Sequence, residues 1–203
     1  IKTAAELIRM PGAWVRKKMT VTGLRTYMEL QGTPCLELDR MPEPKQAIAS
    51  SRSFGRPVTA LEELEVSAAS YASRAAYKLR RQRSVASCVH VTAVSGYYSG
   101  GDFYARSATA PLSSPTADTS VLVANAKRAL AAVYEKGRSY TKLAVMLTGI
   151  SAADAAQTDL FDKPYNGSAR ERIMAALDAV NSAFGRGALR IAATGTGRKW
   201  KMR

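Results

Sequence analysis

Three groups of residues in this 203-residue chain have side chains and spacings that could do chemistry. The first is Ser50, Ser51, Arg52 and Ser53, followed by Phe54, Gly55 and Arg56. The second is Tyr104, Arg106, Ser107 and Thr109. Hydroxyls, guanidinium forks and exposed edge N–H groups are the donors that phosphate oxygens take up. An ordinary polar sheet face also carries Ser and Thr, but here each run adds an Arg. The third group is Gln157-Thr158-Asp159-Leu160-Phe161. One amide and two large apolar side chains in a polar tether suit insertion into a preformed pocket. The same two apolar residues could also fold back as a staple on their own domain.

Catalytic chemistry finds little purchase. General acid–base work needs convergent carboxylates or a poised histidine. The acids lie mainly at expected helix starts and in linkers, and no expected strand carries the spaced carboxylates that hold Mg²⁺. The single histidine, His90, alternates with Val89 and Val91 and is expected on the opposite sheet face from them. Cys35 and Cys88 have neither paired nor metal-like spacing, which excludes a disulfide scaffold and fits a reducing cytosol. The GxG of the C-terminal tail lacks the strand and helix a dinucleotide fingerprint requires. No catalytic residue and no metal ligand is assigned.

The charge points the same way as the first two groups. Thirty Lys and Arg against sixteen Asp and Glu leave +14, while 46% hydrophobic and 23% charged residues are globular proportions. Residues 45–106 hold nine basic and four acidic side chains, and residues 164–203 hold eight and two. Such a surplus favours a polyanion, because each cation placed on a phosphate releases condensed counterions. Solubility alone is the plain alternative. No apolar run reaches the roughly 18 residues of a membrane span. No basic-then-apolar export signal opens the chain. It begins at Ile1 inside an apparent helical motif, so it is expected to be a piece of something longer.

The elements that must position these residues can be read from periodicity. Residues 3–31 read as short helices, and residues 38–46 as a proline-containing linker. A strand is expected at 47–54. A long helix follows, opened by a Thr59/Glu62 capping box and carrying Leu61, Leu64, Ala68, Ala72, Ala75 and Leu79 on one face. Residues 85–95 alternate as a strand, residues 95–102 form a Gly-rich loop, and residues 103–110 form a third strand that Pro111 and Pro115 break. Asp118 or Thr119 caps a second helix with Leu122, Ala126, Ala129, Leu130 and Val133 inward, and Gly137 stops it. Tyr140–Leu147 is the last strand. Then come a polar stretch (151–167), an amphipathic helix (169–184) and a strand-like ALRIAA (188–193). The order β-α-β-β-α-β is the ferredoxin-like pattern of an α+β fold, with both helices on one sheet face and the other face open. The first and third strands are expected to be central neighbours, joining their donors into one patch.

Several longer stretches then become informative: SRSFGRPVT (51–59), SYASRAAYKLR (70–80), YARSATAPLSSPTADT (104–119), YTKLAVMLTGI (140–150) and QTDLFD (157–162). Together with VRKKMTVTGLRTYMELQGTPCLEL (15–38) and MAALDAVNSAFGRGALRIAATG (174–195), they resemble the UmuC family of Y-family translesion DNA polymerases. The resemblance runs in order along essentially the whole chain. It implies a thumb remnant and linker (1–44), a little-finger DNA-binding domain (45–150), a clamp-binding tether (151–167) and a UmuC-type C-terminal region (168–203). It places primer–template DNA against Ser51, Arg52, Ser53, Arg56, Tyr104, Arg106 and Ser107. By the same resemblance a bacterial sliding clamp receives Gln157, Leu160 and Phe161, and UmuD′ and RecA are further partners without assigned residues. The palm, with its Mg²⁺-binding carboxylates, has no counterpart here, so this stretch is expected to bind DNA without polymerising it.

Two other readings stay open. An RRM-type RNA-binding module shares the element order and would stack bases on Phe103 and Tyr104. A pure interaction adaptor would use QTDLF and the helix 169–184, its basic surface being incidental.

Overall fold

The computed structural model describes residues 1–35, 43–96, 103–155 and 167–196. The chain divides into two compact units, Ile1–Glu43 and Pro44–Arg203. In the first, helix α1 (Ala4–Ile8) is capped by the Thr3 hydroxyl, and α2 (Gly12–Leu30) starts after Pro11 and is interrupted at Thr20, where φ is 63°. The expected run of short helices is thus two helices, the longer one broken by a residue in a conformation that β-branched side chains rarely adopt.

The second unit has the expected order: β1 (Ile48–Val58), α3 (Leu61–Arg81), β2 (Ser84–Ser95), β3 (Tyr104–Thr116), α4 (Thr119–Val133) and β4 (Tyr140–Ala152), followed by α5 (Gly167–Ala183). The four strands form one antiparallel sheet in the order β1-β4-β2-β3. The core lies between one sheet face and the helices. Leu64, Ala68, Ala72, Ala75 and Leu79 of α3, and Leu122, Ala126 and Leu130 of α4, meet Val89, Val91, Leu143, Val145 and Leu147, all fully buried. The 3.6- and 2-residue periods made this inventory readable.

Local departures have identifiable causes. The Thr59/Glu62 capping box does not form: the N-cap is Ala60, without a side-chain cap bond, and the Tyr134 hydroxyl donates to the Thr59 carbonyl. Asp118 does cap α4, its Oδ1 accepting from the Ser120 and Val121 amides. Helix α4 ends at Val133, ahead of Gly137, because Tyr134 turns to extended backbone and stacks on Tyr140. Pro111 and Pro115 do not end β3, which runs on to Thr116. An edge strand tolerates proline because its outward N–H has no sheet partner. Leu147 is buried, but two residues on, Gly149 takes φ +61° and inward packing passes to Ile150, partly buried against the core.

Residues 188–193 form no strand. After α5 the chain turns and ends its described part near a short 3₁₀ turn, Ala192–Thr194, which packs on α3. Helix α5 is tied to the helix layer by Arg80. Its Nε and Nη2 donate to Asp178 at 2.7 Å each, and its Nη1 donates to the Ala117 carbonyl and the Thr119 hydroxyl. Met174 is the buried residue of α5, whereas Ile173 on the same helix and Phe184 just beyond it are exposed. Asp178, one turn after Met174, lies on the same side of the helix as Met174. Among the described residues no helix is long and apolar enough to cross a membrane.

Candidate nucleic-acid interface

Register and alternation decide which side chains share the open sheet face. Residues paired across antiparallel strands lie on the same face, and successive residues on opposite ones. Because Leu143, Val145 and Leu147 point into the core, Lys142, Ala144, Met146 and Thr148 point out. Three rows follow across the sheet: Ser53–Lys142–Val94–Ala105, Ser51–Ala144–Thr92–Ser107 and Ala49–Met146–His90–Thr109. This face is small, hydroxyl-rich and cationic at Lys142. The Thr92 and Ser107 hydroxyls lie 2.8 Å apart, and His90 sits between the hydroxyls of Thr148 (2.6 Å) and Thr109 (2.7 Å). His90 is therefore a sheet-surface residue facing away from Val89 and Val91, as its alternation predicts.

The expectation that β1 and β3 are central neighbours is wrong: they are the two edges, with β4 and β2 between them. The single joined patch is replaced by a wider arrangement. Arg52 and Arg106 fall in one row, Arg52–Leu143–Ala93–Arg106, on the helix side of the sheet but at its uncovered rims. Strands lie about 4.8 Å apart, so three spacings separate these two backbones by roughly 14 Å. Ser51, Ser53 and Ser107 lie on the same two edge strands but face the opposite, open side of the sheet. Arg56 lies in the irregular stretch of β1 between Ser53 and Val58, and its Nη2 binds both Glu63 oxygens at 2.9 and 2.8 Å. Gln157, Leu160 and Phe161 lie outside the described residues.

Tyr104 is not an exposed stacking ring. It pairs with Ser95, packs partly against the core, and donates its hydroxyl to Glu135 at 2.5 Å. No Phe, Tyr or Trp lies in the three open-face rows, so the stacking platform an RRM requires is missing there.

Sequence reasoning passed over three residues. Lys142 was legible, since any strand with Leu143 inside puts Lys142 outside. Glu135 and Arg138 gave no local signal, because their importance comes from what β3 brings to them. Glu135 accepts from Tyr104 and from Arg138 Nε at 2.8 Å, and forms an ion pair with Arg106 Nη1 at 3.0 Å. The Arg138 guanidinium also lies 3.6 Å from the centre of the Tyr104 ring, a cation–π contact. The Tyr104 hydroxyl first, and the Arg138 guanidinium next, hold the Glu135 carboxyl below its ordinary pKa. Partial burial and the Glu135 bond raise that of the Tyr104 phenol. Among the described residues no three His, Cys, Asp or Glu side chains converge as a metal ion would need.

Comparison with known proteins adds the family. The impB/mucB/samB family C-terminal domain matches residues 45–160, and a domain of unknown function matches residues 171–203. The protein UmuC of Salmonella typhimurium is 36% identical over 206 residues, covering 100% of this chain and 48% of the relative. SamB of the same organism is 34% identical over 206 residues, with the same coverage. MucB of Escherichia coli is 37% identical over 182 residues, covering 89% of this chain and 43% of the relative. The chain thus spans about half the length of the curated relatives it matches. It belongs to the impB/mucB/samB family, whose C-terminal domain its residues 45–160 carry.

Proposed function

We propose that this chain is the DNA-gripping part of a Y-family translesion DNA polymerase, its βαββαβ sheet serving as a little finger that holds duplex primer–template by the phosphate backbone. The observation that carries the reading is the row Arg52–Leu143–Ala93–Arg106. It sets one arginine on each edge strand, on the helix side of the sheet, while the opposite, open face between those edges is hydroxyl-rich and bears Lys142. The roughly 14 Å between the rims is close to the ~12 Å width of the B-DNA major groove. Each edge then addresses one of the two backbones, with Lys142 and the Thr92 and Thr148 hydroxyls on the strands between them. Contacts to phosphate position the duplex without reading its sequence, which suits an enzyme that copies any template.

Nucleotidyl transfer, with its Mg²⁺, belongs in this reading to a palm elsewhere in a longer polymerase. Gln157 binds at the pocket of a bacterial sliding clamp and Leu160 and Phe161 fill it, tethering the enzyme near its primer. UmuD′ and RecA, the remaining partners of the UmuC resemblance, are given no residues.

The test is duplex primer–template binding across a salt series. Binding should be sequence-independent and weaken steeply with salt. Arg52→Ala with Arg106→Ala should lower affinity for all duplexes alike and reduce the log–log salt slope by up to about 2, at roughly 0.9 per phosphate lost. An affinity indifferent to ionic strength, or unchanged in the double variant, overturns the assignment.

A further inference from the structure

We propose that Tyr104, Arg106 and Arg138 form a seat for one backbone phosphate at the β3 rim, and that Glu135 occupies this seat in the free protein as a built-in competitor. The inference rests on the nucleic-acid reading above and adds to it a residue, Arg138, and a self-ligand. The three donors converge on a single carboxylate: Tyr104 Oη at 2.5 Å and Arg106 Nη1 at 3.0 Å on Oε1, and Arg138 Nε at 2.8 Å on Oε2. A phosphodiester resembles that carboxylate in what the donors see, two oxygens sharing one delocalised negative charge. Two guanidiniums against one carboxylate leave the cluster with an excess positive charge, so a second anion is attracted rather than repelled.

The seat can be reached and can survive an exchange of ligands. The Arg106 side chain is 57% exposed and that of Arg138 33%. Arg138 rests on the Tyr104 ring, which holds it in place without the carboxylate. Nor does the loop between α4 and β4 need the carboxylate to keep its shape. The Glu135 amide donates to Tyr140 Oη, the Arg138 amide to the Glu135 carbonyl, and the Ser95 hydroxyl to the Ser139 carbonyl. Those bonds involve the backbone of the loop, which leaves the Glu135 side chain available to give up its donors. When a phosphate arrives, it takes over the guanidinium hydrogen bonds and the carboxylate turns to water. The strength of duplex binding is thereby damped, a useful property for a domain that must slide along its template.

The experiment compares four versions of this 203-residue chain in duplex binding over a salt series, with circular dichroism to verify folding: wild type, Glu135→Gln, Arg106→Ala/Arg138→Ala, and the triple variant. Gln keeps the size and one acceptor but removes the charge. If one more phosphate is engaged, affinity should rise by up to about tenfold near 0.1 M salt and the log–log slope should steepen by about 1. The gain should vanish when both arginines are absent. Duplex binding that is unchanged or weaker in Glu135→Gln overturns the competitor, and an equal gain in the triple variant shows a general charge effect and overturns the seat. Failure of wild type and Glu135→Gln alike to bind duplex at low salt overturns the nucleic-acid reading itself, and the seat with it.

Discussion

The bond between Arg80 and Asp178 offers a quantitative test of how the segment of unknown function is held. Arg80 lies in the last turn of α3 and reaches Asp178 of α5 through two parallel N–H···O bonds of 2.7 Å. A third nitrogen serves Ala117 and Thr119 at the start of α4. The two side chains are 14% and 23% exposed, so the pair is neither buried nor a surface contact. Breaking a buried pair costs about 3–5 kcal/mol and an exposed one at most about 1. The bidentate geometry and the two further bonds place Arg80→Ala at about 3 kcal/mol. Asp178→Asn retains the shape and should cost about 1.5 kcal/mol, with a coupling energy near 1.5 kcal/mol in the double-mutant cycle. Urea unfolding of the four proteins gives the cycle, and limited proteolysis within residues 184–196 reports whether α5 has come loose. Because the pair sits on the helix layer, duplex binding by the open sheet face should not change. A coupling below about 0.5 kcal/mol, within the scatter expected of independent sites, would refute the latch.

Three further outcomes are expected. Gly149→Ala should destabilise by about 1–2 kcal/mol in chemical denaturation, because the left-handed backbone disfavours a side chain and the new Cβ would lie 3.1 Å from Ser87 Cβ. Glu135 has a depressed pKa in the folded chain, so its contribution is present above the ordinary carboxylate range and lost as pH falls through that range to the lower folded value. Melting temperature should therefore fall less on acidification in Glu135→Gln than in the wild type, and parallel pH profiles would contradict the linkage. Leu160→Ala with Phe161→Ala should abolish capture by an immobilised sliding clamp while leaving duplex affinity intact, and equal clamp binding would remove the tether.

Residue order alone determined a good deal. The apolar periods of α3, α4, β2 and β4 named the buried side chains, because helix and strand repeats are local properties of the backbone. The alternation around His90 likewise placed it on the open face. The prolines of β3 carried the edge signal too, but as local breakers they read equally well as the strand's end. Sheet order was another matter. A βαββαβ chain can close its sheet with different strands at the centre, and nothing local to Arg52 or Arg106 states which neighbours their strands will have. Tertiary structure alone put these arginines at opposite rims of one row. It also carried Asp178 to Arg80 and the α4–β4 loop to Tyr104. Such contacts join residues 31 to 98 positions apart, and their energies depend on distances that only the closed fold supplies.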